Sequence, residues 1–121
     1  MRTGQLFILA VIVVSPLERT LSRGAELPPP TRHAADFVRD VQPILQERCL
    51  GCHGPDKQKS GYRLDDRETA IKGGDSGEAA IIPGKSAESP LIRFVTGEDA
   101  DMLMPPKKSD KQRLTPEQVG V

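Results

Sequence analysis

A chain of 121 residues has room for one domain, and its 17 basic and 17 acidic residues cancel to a formal charge of zero. That balance excludes a nucleic-acid binder, which needs a basic excess to neutralise phosphates. Only 36% of the residues are hydrophobic, tryptophan is absent, and Phe7, Phe37, Phe94 and Tyr62 are the only aromatics. An interior that sparse needs a metal, disulfides, a partner or a cofactor to complete it.

In chain order, Met1-Arg2 opens with positive charge and Leu6 to Val14 is a nine-residue apolar run. As a helix it is about 14 Å long against a hydrocarbon core of roughly 30 Å. Residues 1–25 therefore read as a signal peptide or N-terminal anchor, with Ser22-Arg23-Gly24 offering small residues before Ala25. Cleavage there removes Arg2, Glu18, Arg19 and Arg23 and leaves 14 basic and 16 acidic residues, a net charge of −2. Export, to the periplasm or the outer face of the inner membrane, places the cysteines in an oxidising compartment. An uncleaved N-terminus would tether the chain to the membrane. Residues 26–35, with Pro28-Pro29-Pro30, read as a stiff extended spacer, and residues 36–121 as the folded domain.

Phe37, Val38, Val41, Ile44 and Leu45 form the apolar stripe of an amphipathic helix, with Asp36 as its N-cap. Pro43 must kink that helix or start its second half. A turn-rich stretch, Gly54 to Gly61, precedes a short Tyr62-Arg63-Leu64 segment and a brief helix over Arg67 to Lys72, stopped by Gly73-Gly74. Ser89 and Pro90 announce a helix carrying Leu91, Ile92, Phe94 and Val95, which Gly97 ends. Thr115-Pro116-Glu117-Gln118 is a capping box with proline at the first position, yet the sequence stops six residues past the cap. So short a helix is unstable alone in water, and the sequence reads as a chain cut inside its final helix.

The most specific signal is Cys49-Leu50-Gly51-Cys52-His53. On a helical turn Cys49, Cys52 and His53 share one face. Two sulfurs there can form thioethers with a porphyrin edge while the imidazole reaches its iron, and Cys-x-x-Cys-His is the attachment motif of c-type haem. Haem c also supplies the apolar body that the composition lacks. Zinc would need two more ligands, and His33 lies sixteen residues before Cys49 in the spacer. A thioredoxin-like pair opens a helix, whereas these cysteines close one. A local disulfide would leave His53 without a role.

The second axial position of haem iron is commonly a methionine, and Met102 and Met104 are the candidates. Pro105-Pro106 stiffens the backbone after Met104 and favours it, with Met102 as the rival on the same side of an extended stretch. His53 is expected to give its other ring N–H to a backbone carbonyl, from Gly54-Pro55 or the following loop.

The segments Asp36-Phe37 to Gly54-Pro55-Asp56, Gly61-Tyr62-Arg63-Leu64-Asp65 and Lys72-Gly73-Gly74-Asp75-Ser76-Gly77 closely resemble planctomycete-type cytochrome c domains. So do Ile82-Pro83-Gly84-Lys85 with Ser89, and Met104-Pro105-Pro106. The likeness covers about residues 36 to 118. It implies an all-α fold, a small cytochrome c-like helical domain wrapped around a covalently bound haem with long irregular loops. It also implies Cys49 and Cys52 as thioether positions, His53 as proximal ligand and Met104 as distal ligand. The expected role is electron transfer through an exposed haem edge, with no catalytic residues, as a fragment or module of a larger exported protein. Partners are redox proteins, and Lys57, Lys59, Lys107, Lys108, Lys111 and Arg113 are placed to steer an acidic one. The competing readings are an open iron that binds a small ligand or acts like a peroxidase, and a non-catalytic module of a larger hydrolase-like protein.

Overall fold

The computed structural model describes residues 26–121, so the leader expected over residues 1–25 lies outside the described residues. Asp36 opens the first helical element, its carboxylate accepting from the Arg39 N–H at 2.8 Å. Pro43 has no N–H to return to the turn before it, and Gln42 instead donates to the carbonyl of Phe37, five residues back. Phe37–Val41 is thus a π-helical turn, and α1 (Gln42–Arg48) starts with Pro43 in its first turn. The extra residue rotates the apolar stripe. Ile44 and Leu45 are half-buried while Phe37 and Val38 are 58% and 68% exposed, so the single continuous face expected from spacing is split.

Cys49 closes α1, and a one-turn helix, α2 (Leu50–His53), follows at once. A 3-10 turn, Lys59–Gly61, leads into Tyr62-Arg63-Leu64, and α3 (Arg67–Lys72) is capped by Asp66, which accepts from the Thr69 N–H. Gly73 ends α3 with φ of 92°, a conformation that favours glycine. α4 (Pro90–Thr96) starts on Pro90 and ends on Gly97 in the left-handed region, and α5 (Pro116–Val119) carries the complete capping box of Thr115 and Gln118. The Pro-rich segment folds back on α5 through Thr31 N–H to Gly120 O at 2.8 Å.

Ser89 differs from its expected part. Its hydroxyl does not cap α4. It accepts from the Ile82 N–H at 2.9 Å and donates to the Lys85 carbonyl at 3.0 Å, pinning the Ile82-Pro83-Gly84-Lys85 turn. At 2% exposure it is the most enclosed side chain described.

Among the described residues the structure is helical, with one isolated antiparallel bridge between His53 and Gln58. None of their helices is long and apolar enough to cross a membrane. Among the described residues Leu64, Ala70, Val95 and Leu103 form the buried apolar core, with Pro105 also buried beside Leu103. That core is small, as the composition required. Backbone hydrogen bonds relay position along the chain: Leu64 N–H to His53 O, Ala80 N–H to Ile71 O, Leu91 N–H to Ala80 O, and Met104 N–H to Phe94 O. The cysteine turn and the methionine loop are therefore tied into one framework through α3 and α4.

Candidate functional site

The Cys-x-x-Cys-His segment is built as its spacing predicts. The carbonyl of Cys49 accepts from the N–H of both Cys52, at 3.0 Å, and His53, at 2.9 Å, so the three residues occupy one helical turn. Both sulfurs are free and half-buried. Burial pushes the Cys49 thiol up to about 11, the opposite of the lowered pKa that activates a redox dithiol. Cys49 also opens α2 as well as closing α1, so the expectation that both cysteines simply end a helix holds only for the first.

His53 Nδ1 lies 3.3 Å from the carbonyl oxygen of Tyr62. A carbonyl only accepts, so in the neutral ring this contact places the proton on Nδ1 and leaves the Nε2 lone pair for a metal. The carbonyl expected from Gly54-Pro55 or the loop after it comes instead from Tyr62, the first residue past that loop. The Tyr62 ring meets the imidazole edge-on, with centroids 5.5 Å apart and planes at 62°. Its hydroxyl donates to Ala70 O at 3.0 Å, and burial pushes that phenol up to about 12. Spacing alone carried no signal for the tyrosine side chain.

Met104 is fixed to a different element. Its N–H donates to Phe94 O in α4, and it is half-buried between the buried Leu103 and Pro105. Its rival Met102 is 46% exposed. The loop beyond Met104 returns to the cysteine turn: Arg48 Nη1 donates to Gln112 Oε1 at 3.5 Å, and a Cβ on Gly51 would sit 3.7 Å from Lys111 Cε. Arg48 Nε is a buried donor without a partner. His33, the remaining histidine, sits near Thr31 Oγ1 and Asp40 in the Pro-rich segment. Among the described residues no three His, Cys, Asp or Glu side chains gather as a metal site, so the further ligands that zinc requires are not assembled there.

Residues 49–108 match the family model of planctomycete cytochrome C. The domain belongs to that family. The match begins on Cys49 and includes His53 and Met104, so it is narrower than the likeness read from the sequence, leaving the first helical element, α1 and α5 outside. No curated protein and no solved structure matches the chain. A planctomycete cytochrome C domain implies haem c, and the residues present fit it. Two free sulfurs and an imidazole with Nε2 unengaged stand on one turn, beside a core too small to be complete.

Proposed function

We propose that this domain is a c-type electron carrier in which Cys49 and Cys52 hold haem through thioethers, His53 Nε2 is the proximal ligand and Met104 the distal one. The observation that carries the reading is the turn in which Cys49, Cys52 and His53 are joined through one carbonyl while Tyr62 engages the other imidazole nitrogen. The bound haem would supply a one-electron couple, and histidine–methionine ligation raises its potential. The chain's own residues anchor, orient and enclose. Two thioethers prevent loss of the cofactor in an exported protein, and Tyr62 O holds the imidazole in one tautomer. The clamp of Leu103 and Pro105 on either side of Met104 supports it over Met102 as the sulfur donor. The small core of Leu64, Ala70, Val95 and Leu103 supports a fold wrapped around the porphyrin.

We place the domain outside the cytoplasm, within or released from a larger exported polypeptide. Lys111 beside Gly51 brings one of the basic residues to the attachment turn, which supports docking of an acidic redox partner there. Such docking weakens steeply with added salt.

Co-expression with a haem-attachment system tests the reading. Haem is expected to remain with the denatured polypeptide, and Cys49→Ala with Cys52→Ala is expected to abolish that. Ferrous protein should be six-coordinate, low-spin and indifferent to carbon monoxide. Rapid carbon monoxide binding would instead favour a small-ligand site, and a colourless, compactly folded wild type would remove the haem reading altogether.

A further inference from the structure

The fold engages Tyr62 at three points that serve one neighbour. Its carbonyl faces His53 Nδ1 at 3.3 Å, its ring stands edge-on to the imidazole at 5.5 Å, and its hydroxyl donates to Ala70 O at 3.0 Å. Ala70 is buried in the middle of α3, so the hydroxyl ties the ring to the interior and not to a mobile surface. The backbone on either side is also held. Tyr62 N–H donates to Lys59 O, Leu64 N–H donates to His53 O, and Gly74 approaches so closely that a Cβ there would sit 3.0 Å from Tyr62 Cβ.

We propose that Tyr62 is the positioning residue of His53, its side chain holding both the imidazole plane and the carbonyl that accepts from Nδ1–H. A carbonyl on a free loop would sample many directions, and a 3.3 Å bond leaves little margin before it is lost. The hydroxyl bond to Ala70 O removes that freedom. The ring, set at 62°, blocks rotation of the imidazole about its own bonds. A fixed Nδ1–H bond raises the donor strength of Nε2, so the same contact tunes any metal bound there.

The inference rests on the reading of His53 as a haem ligand for its consequence, but its test does not. Nitrogen-15 NMR of the imidazole in the haem-free full chain reports the His53 tautomer and the exchange rate of the Nδ1 proton. Wild type is expected to show a single Nδ1–H tautomer. Tyr62→Phe, which deletes only the hydroxyl, should speed exchange of that proton about tenfold, and Tyr62→Leu, which also deletes the ring, should mix the tautomers. Leu64→Ala removes buried bulk from the same segment and serves as the control, lowering the melting temperature without changing the tautomer. In haem-loaded protein Tyr62→Phe should raise the reduction potential, because a looser Nδ1–H bond makes the imidazole a weaker donor. Exchange within twofold of wild type in both tyrosine variants overturns the proposal, and so does an equal tautomer change in Leu64→Ala. A wild type that lacks covalent haem but keeps the tyrosine-dependent tautomer overturns the cytochrome reading alone.

Discussion

Ser89 offers the sharpest test of how the fold is held together. In Ser89→Ala the Ile82 N–H loses its acceptor, whereas the two carbonyls near the hydroxyl keep others: Lys85 O still accepts from Glu88 N–H, and Ile82 O from Lys85 N–H. One orphaned, half-buried donor costs about 1–3 kcal/mol, and the lost O–H donation adds about 1 kcal/mol. The neighbouring groove, lined by Ile81, Pro83, Leu91 and Ile92, is open enough to admit water, which removes the upper end of that range. The expected loss is about 2–3 kcal/mol, or roughly 10–20 °C in melting temperature for a domain of this size. Thermal unfolding by circular dichroism measures it, with Ser89→Asp as the deciding companion. Aspartate is a good helix cap but lacks a hydroxyl proton for Lys85 O and is too large for so enclosed a position. If Ser89→Asp restores the stability that Ser89→Ala loses, the side chain works as a cap after all and the pinning argument fails.

Other consequences are as direct. Gly73→Ala should cost about 3 kcal/mol or more in urea unfolding, because φ is 92° and the new Cβ collides with the Glu78 carbonyl; Gly84→Ala, at φ of 77° with open space around it, should cost about 1 kcal/mol. Equal losses would mean the backbone there yields freely. The Arg39 guanidinium, then the Asp36 N–H, hold the Asp40 carboxyl well below its ordinary value of 3.8. A depressed carboxylate stabilises the fold above its unfolded pKa and loses that contribution as pH falls. Asp40→Asn should therefore be less stable than wild type near pH 7, by a small amount given its solvent screening, and the difference should begin to shrink only below about pH 4 and be clearly smaller near about pH 2, disappearing once the folded-state carboxyl is itself protonated. Urea melts at the two extremes check the sign. Finally, with its thiol pushed from 9.0 to about 11, Cys49 in the folded haem-free chain should react with iodoacetamide about 100-fold more slowly near pH 8 than in denatured chain, followed by peptide mass spectrometry. Matching rates would show that the sulfur is not shielded.

What the sequence made readable was local. Asp36, Pro43, Gly73, Pro90, Gly97 and the Thr115–Gln118 box act within one turn of themselves, and each does so in the structure. The turn of Cys49, Cys52 and His53 is of the same kind, since three- and four-residue spacing determines its geometry. Ser89 misled because a serine before Pro90 has the pattern of a cap, while a turn seven residues upstream claims its hydroxyl. Tyr62 gave no sign because its three contacts reach residues eight or nine positions away on other elements. The π-helical turn was half visible: Pro43 marked the break, but whether the chain kinks or inserts a residue depends on which carbonyl Gln42 finds.

The engagement of His53 Nδ1 also decides regiochemistry. With that nitrogen committed to Tyr62 O, an electrophile arriving at this imidazole, whether a metal or an alkylating reagent, encounters a ligand with one open end. The polypeptide thereby favours one ring atom over the other, and what remains for the visitor is to arrive at the right distance.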